Sequence, residues 1–132
     1  MKIIYICKEL QSNDIKHFSA QLWRINAKGQ LENKLRRWYH SDSIIKLDPK
    51  DDNEGHIEIV DIDKVLSPIN EITKEVGYEE KNSLSSDQIW NLSQEQENGW
   101  RNIVHNKSGL YLTLRKRSKG STVLKLENKG MK

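Results

Sequence analysis

Residues 87–114 read DQIWNLSQEQENGWRNIVHNKSGLYLTL and contain three short runs in which apolar side chains recur at every second position. This period is typical of half-buried β-strands, and turn-forming residues bound each run. The last turn is Asn106-Lys-Ser-Gly109, where glycine adopts positive φ at little cost and asparagine bonds its own backbone. The stretch therefore predicts three strands in succession.

The same order of features occurs a second time, 67 residues earlier in the chain. The matched segments are Gln21-Leu-Trp23 with Gln88-Ile-Trp90, residues 41–47 with 108–114, and residues 56–59 with 122–126. One shared tripeptide would be chance, whereas a shared order of strands and turns indicates an internal repeat. We interpret residues 56–98 as a third, degraded copy, although two alignments compete for residues 57–59.

Helix signals are poor throughout, so the chain is predicted to be all-β with about 12 short strands. Residues 2–6 resemble the last strand of each repeat, and residues 30–35 and 69–73 are the least regular candidates. Residues 48–55 and 81–87 are predicted to be exposed loops. The length of 132 residues favours a single domain spanning the whole chain.

Cys7 is the only cysteine, so an internal disulfide is excluded. The first residues are too quickly charged for a signal peptide, and no apolar run reaches the roughly 20 residues of a membrane-spanning helix. We therefore expect a cytoplasmic protein with no membrane span. Secretion without a classical leader is the alternative.

The net charge of +3 hides two opposite segments. Residues 48–87 hold twelve acidic and four basic residues, a net charge of −8, and residues 101–132 hold nine basic residues and one acidic residue, a net charge of +8. Such segments either neutralise each other across one folded surface or attract a charged partner. We prefer the first interpretation.

Repeats of about 40 residues that contain Gln-x-Trp resemble the β-trefoil family of ricin-B-type lectins. The match is best over residues 87–128 and fair over residues 21–60. The resemblance implies one β-trefoil of three pseudo-repeats. The chain would begin and stop at the third strand of a repeat, so the register is shifted, as in a permuted trefoil. We prefer closure within one chain to strand exchange between two chains.

The resemblance implies a structural role for the two Gln-x-Trp motifs. We expect Trp23 and Trp90 to fill the core, because indole rings bury a large apolar area. We expect Gln21 and Gln88 to bond backbone groups near the strands, since a buried amide needs partners.

Sugar recognition in this family uses an Asp on a central strand, an aromatic platform and an Asn near Gln-x-Trp. The Asp position falls here on Thr113, Lys46 and Ser67, none of which is a carboxylate. Asn128 corresponds to the family's Asn, and Trp100, Tyr111 or Trp38 could serve as the platform. The candidate ligand-binding residues are Trp100, Asn106, Tyr111, Thr113 and Asn128.

No catalytic or metal-binding pattern stands out in the sequence. The acidic residues 48–57 resemble a calcium loop, but Lys50 stands where the first anionic ligand belongs. The four histidines lack the short spacing of metal ligands. We expect no enzyme activity, no cofactor and no bound metal.

The leading hypothesis is therefore a lectin-like module whose partner is a glycan or glycoconjugate. The first alternative is a β-trefoil that binds a protein partner or a second copy of itself, with eroded sugar sites. The second alternative is polyanion binding through the basic residues 115–119. We do not expect nucleic acid to be the partner.

Overall fold

The computed structural model describes residues 19–35, 45–51, 53–93, 98–116 and 120–130. Its elements confirm the prediction of an all-β fold. The strands of this part of the chain are β1 (Trp23–Ile25), β2 (Leu31–Asn33), β3 (Ile45–Asp51), β4 (Glu54–Ile59), β5 (Lys64–Pro68), β6 (Glu75–Glu79), β7 (Trp90–Leu92), β8 (Ile103–His105), β9 (Tyr111–Lys116) and β10 (Thr122–Glu127). Short 3-10 turns cover Val60–Ile62 and Ser86–Gln88.

The strands form two antiparallel sheets. Strands β1 and β2 make a separate hairpin, and a β-bridge between Trp23 and Arg101 joins it to the region next to β8. The larger sheet has the order β3-β4-β5-β6-β10-β9-β8-β7, and β7 pairs again with β4. All strands of this sheet except β3 therefore form a closed ring, which removes the open edges that unpaired strands would expose.

The core inside the ring consists of side chains that face inward from alternating positions along the strands. Leu112 and Leu114 of β9 face Leu126 and Leu124 of β10, and all four are buried. The largest buried side chains are Trp23 and Trp90, each 1% exposed. Since strand side chains alternate between two faces, the apolar period in the sequence becomes one buried face.

Both tryptophans are anchored in the same way. The indole Nε1–H of Trp23 donates to the carbonyl of Leu112 in β9, at 2.9 Å. The indole of Trp90 donates to the carbonyl of Leu66 in β5, at 3.1 Å. The hairpins β5–β6 and β9–β10 are thus equivalent in their relation to the two tryptophans.

The glutamines of the two motifs extend this equivalence. The Gln88 side chain donates to the carbonyl of Glu80 at 2.9 Å and accepts from the amide of Asn82 at 2.8 Å. The Gln21 side chain donates to the carbonyl of Asn128 at 2.8 Å and accepts from the amide of Gly130 at 2.7 Å. In space, Gln21-Leu-Trp23 therefore follows β10, although it precedes β10 in the chain.

This arrangement closes the first Gln-x-Trp unit with C-terminal residues of the same chain. The predicted strand at residues 2–6, which was expected to complete that unit, lies outside the described residues. Residues 57–59, for which two alignments competed, belong to β4, which pairs with β3 on one side and with β5 on the other.

The prediction of a loop over residues 48–55 is wrong for most of its length. Strand β3 continues through Pro49 to Asp51, and β4 begins at Glu54. The pairing shifts register between Pro49 and Asp51. Such an irregularity tolerates proline, because a residue at a bulge need not donate to the ladder.

Candidate functional site

Thr113, the residue at the expected sugar-binding Asp position, is buried. Its side chain has no exposed surface. Its hydroxyl donates to the carbonyl of Tyr111 at 2.9 Å and accepts from the Gln21 amide at 3.1 Å. The hydroxyl therefore supports the packing of Gln21 and offers no contact to a ligand at the surface.

Lys46 and Ser67, which take the expected Asp position in the other two hairpins, provide no carboxylate either. Lys46 is exposed on β3, opposite Glu58 on β4. Ser67 is buried on β5, and its hydroxyl donates to a carboxylate oxygen of Glu79 at 2.8 Å. The sugar contact that the resemblance implies for this position is therefore missing from all three hairpins.

Three of the remaining candidates lie around the start of β9. Tyr111 is half-buried and pairs with Val104 on one side and with Glu127 on the other. Asn106 lies just beyond β8, where its side-chain oxygen accepts from the amide of Asn91 at 2.7 Å. Asn128 is exposed just beyond β10. None of these three residues lines the pocket beside Trp100 that is described below.

Trp100 lies in a different place, beside the β1–β2 hairpin. The guanidinium of Arg24 lies over its ring, 4.2 Å from the centroid, which is a cation–π distance. The same guanidinium forms an ion pair with Glu32 at 3.0 Å and reaches the carbonyl of Asn98 at 3.3 Å. Trp38, the third possible platform, lies outside the described residues.

Trp100 itself is buried, at 8% exposure, and it lines one side of an open pocket together with Arg24, Glu32, Lys34 and Asn98. Asn98 and Gly99 both have positive φ, at 59° and 84°, so the chain turns sharply just before Trp100. The turn brings the backbone carbonyl of Asn98 within hydrogen-bond distance of Arg24 on the charged hairpin. The pocket therefore combines a carboxylate, an amide, two cations and an aromatic ring, which are the groups that bind polar ligands.

The sequence predicts Trp100 as a ligand-binding residue, but it does not predict the four polar residues that line the pocket with it. The facing positions of Arg24 and Glu32 follow from the β1–β2 hairpin register. Their contact with Trp100 depends on the single bridge between Trp23 and Arg101, for which the sequence contains no signal.

The basic segment considered for polyanion binding begins with Arg115. Its guanidinium forms two hydrogen bonds to the carboxylate of Glu127, at 2.7 and 2.6 Å. This hydrogen-bonded pairing raises the pKa of Arg115, and the Glu127 carboxylate occupies two of the five N–H donors of the guanidinium. Residues 117–119 lie outside the described part of the chain.

A second charged cluster links β3, β4 and the end of β6. The ammonium of Lys81 contacts Asp48 at 2.7 Å and Glu58 at 3.1 Å. The hydrogen bond from Lys81 and its charge hold the pKa of Asp48 below its ordinary value of 3.8, and the two carboxylates raise the pKa of Lys81 above 10.5.

Among the described residues, no group of three or more His, Cys, Asp or Glu side chains could hold a metal ion. In the same residues, no helix has the length and apolar character needed to cross a membrane. Comparison with known proteins found no matching family model, no matching curated protein and no matching solved structure.

Proposed function

We propose that this chain is a β-trefoil of the ricin-B type that binds a glycan, without catalysis, in the open pocket beside Trp100. The pocket's polar groups carry this proposal. Glu32 accepts hydrogen bonds from sugar hydroxyls, and Lys34 and the amide of Asn98 donate them. Carboxylates and amides suit sugars because each can bond two neighbouring hydroxyls.

The fold assignment in this proposal is supported by the two equivalent Gln-x-Trp units. Trp23 and Trp90 contact equivalent hairpins, and Gln21 and Gln88 bond equivalent backbone groups. The Arg24 guanidinium covers one face of Trp100, so the sugar contacts the polar rim and the guanidinium plane, and not the free ring. Together Arg24, Lys34 and Glu32 leave one positive charge, which favours glycans that carry a carboxylate or sulfate group.

A glycan array followed by calorimetric titration tests the proposal. We expect binding of acidic glycans that weakens about tenfold or more in Lys34→Ala and in Glu32→Gln, since one charge-assisted hydrogen bond contributes about 1.5–3 kcal/mol. Lys64→Ala, an exposed lysine on β5, is the matched control. Absence of binding at millimolar sugar, or binding that both pocket variants leave unchanged, would exclude this function.

A second candidate function is protein binding, favoured by exposed apolar side chains in an acidic segment. Apart from Ile25, every large hydrophobic side chain exposed in the described residues lies within residues 60–84. The most exposed are Leu84 at 95% and Ile72 at 92%. The same segment holds six acidic and three basic residues. Such a surface suits a partner that is both basic and apolar.

Sedimentation analysis at low and high salt tests this candidate, with the basic segment of a second copy as the available partner. We expect an association that weakens as salt rises and that the double variant Ile72→Ser/Leu84→Ser reduces. Ile25→Ser, at an exposed position outside the acidic segment, should leave the association unchanged. A monomer at every salt concentration would argue against self-association.

A further inference from the structure

A cleft of about 300 Å³ lies between β1, the β3–β4 hairpin and the β7–β8 strands. Its apolar lining includes Trp23, Ile25, Leu47, Trp90, Leu92 and Ile103. Ile25 is 39% exposed, and Leu47 and Leu92 are half-buried, so the cleft opens to solvent. Ligand pockets span roughly 300–1,000 Å³ and are lined mostly by apolar and aromatic side chains, so the cleft has the size and the walls of a site for a small ligand.

The strand register gives the β7–β8 wall of the cleft an apolar face. Leu92 lies opposite Ile103 across β7 and β8, and Trp90 lies two positions before Leu92. Residues directly opposite each other, and residues two apart on one strand, share a face of the sheet. On β4, Gly55 lies opposite Trp90 and contributes no side chain, so the backbone leaves room beside the indole. This wall therefore offers an apolar surface with a gap next to Trp90.

The charged residues that border the cleft on β1, β3 and β4 alternate with the apolar ones, so their side chains point to the opposite face of each strand. The guanidinium of Arg24 accordingly lies over Trp100, and the carboxylate of Asp48 contacts Lys81. Glu54 lies one position before the glycine opposite the indole, so its side chain faces away from the β7–β8 wall. These three charges therefore do not decide what the cleft binds.

Arg101 differs from these three residues. The β-bridge sets it opposite Trp23, so the two side chains lie on the same side. Its guanidinium donates to the carbonyl of Ser93 at 3.3 Å. The rest of the described wall on that side is apolar, and a charged ligand would lose hydration against it without gaining a partner. The cleft therefore favours a ligand without a charge.

We propose that this cleft binds an uncharged, flat aromatic molecule of about two fused rings, in contact with Trp90, Leu92 and Leu47. An apolar cavity of about 150 Å³ holds one benzene ring, so a cleft of about twice that volume holds two. A sugar or a peptide is a poorer occupant, because its polar groups would lose water against apolar walls. The site is separate from the proposed glycan pocket and does not depend on it, although Arg24 borders both.

Titration of naphthalene into the isotope-labelled chain, followed by NMR of the indole N–H groups, tests the proposal. We expect the resonance of Trp90 to shift and that of Trp100 to stay in place. Naphthalene should bind about tenfold more tightly than benzene, since the second ring buries more apolar area. Absence of naphthalene binding, or a shift of Trp100 without one of Trp90, would overturn the proposal. Tighter binding of 2-naphthoate or of 2-naphthylmethylamine than of naphthalene would overturn the assignment of an uncharged ligand.

Two filling variants locate the site. Leu47→Phe and Leu92→Trp add volume at half-buried positions of the cleft wall, and each should weaken naphthalene binding by about tenfold or more while thermal unfolding stays cooperative. The matched control is Lys46→Phe, which adds the same ring one position earlier on β3, on the opposite face, and should leave the affinity unchanged. Undiminished binding in both filling variants, or an equal loss in Lys46→Phe and Leu47→Phe, would show that naphthalene binds elsewhere.

Discussion

Thr113 illustrates how one residue can match a family position and serve another purpose. The resemblance places a ligand-binding Asp at this position, yet the threonine hydroxyl joins Gln21 to β9 inside the protein. A buried, unpaired carboxylate at the same place would lose much solvation free energy. The neutral side chain is therefore the one that this packing allows.

The Lys81 cluster gives a pH prediction at the scale of single residues. The pKa of Asp48 is lowered in the folded protein, so its contribution to stability is present above pH 3.8 and is lost as pH falls through the lowered pKa. The pKa of Lys81 is raised, so its contribution is present below pH 10.5 and is lost as pH rises through the raised pKa. The cluster should stabilise the fold between these two limits.

Replacing Lys81 with methionine tests the predicted pH dependence of this stabilisation. The gap in urea midpoint between the unmodified chain and Lys81→Met should be small, widest at neutral pH and reduced by added salt, because the groups are exposed. It should narrow below pH 3.8. Lys64→Met is the control, since the described residues give Lys64 no ion pair. A gap that keeps its size at low pH would contradict the assignment.

At the scale of elements, the strands follow the alternation of apolar and polar residues in the sequence, whereas two turns reach positive φ without glycine, at Asp63 and Lys74. Strands β7, β8 and β9 and the turn at residues 106–109 occupy the stretch that the apolar period predicts. The continuation of β3 through Pro49 could not be predicted, because a proline normally ends a strand and only the pairing with β4 reveals the register shift. At Pro49, the pairing between β3 and β4 outweighs the tendency of proline to end a strand.

The turn between β8 and β9 provides the element-scale prediction. Gly109 has a φ of 74°, and a Cβ added there would meet nothing within 4 Å. Gly109→Ala should therefore lower the free energy of unfolding by about 1 kcal/mol through backbone strain alone. Gly109→Asn should cost less, since asparagine tolerates this conformation. Urea unfolding measures both, and an alanine variant as stable as the parent would contradict the reasoning.

At the scale of the whole molecule, the sequence indicated repeats but not the way in which they close. The pairing of β6 with β10 and of β7 with β4 completes the ring. Neither contact has a local signal, because both join strands from different repeats. The Trp100 pocket depends on the β1–β2 hairpin and on its bridge to Arg101, which joins residues far apart in the chain, so the pocket could not be located from the sequence.

Substitution of Gln21 tests how the first Gln-x-Trp unit is closed. The Gln21 side chain is fully buried and bonds Thr113, Asn128 and Gly130, whereas within the described residues the Gln88 side chain bonds Glu80 and Asn82. We expect Gln21→Ala to destabilise the protein by about 2–4 kcal/mol and Gln88→Ala by about 1–2 kcal/mol, since each lost bond leaves a buried group unsatisfied. Urea unfolding followed by tryptophan fluorescence measures the loss of stability in both variants. Equal losses of stability in the two variants would mean that Asn128 and Gly130 do not close the first Gln-x-Trp unit.

The distances along the chain between bonded groups have a consequence for folding order. Trp90 bonds a residue 24 positions away, whereas Trp23 bonds one 89 positions away and Gln21 bonds one 109 positions away. Loop closure over a longer span costs more chain entropy and slows folding. During synthesis, the unit around Trp90 can assemble while residues 112–130 are still inside the ribosome. The unit around Trp23 must wait for those residues, and until then its indole is exposed to aggregation.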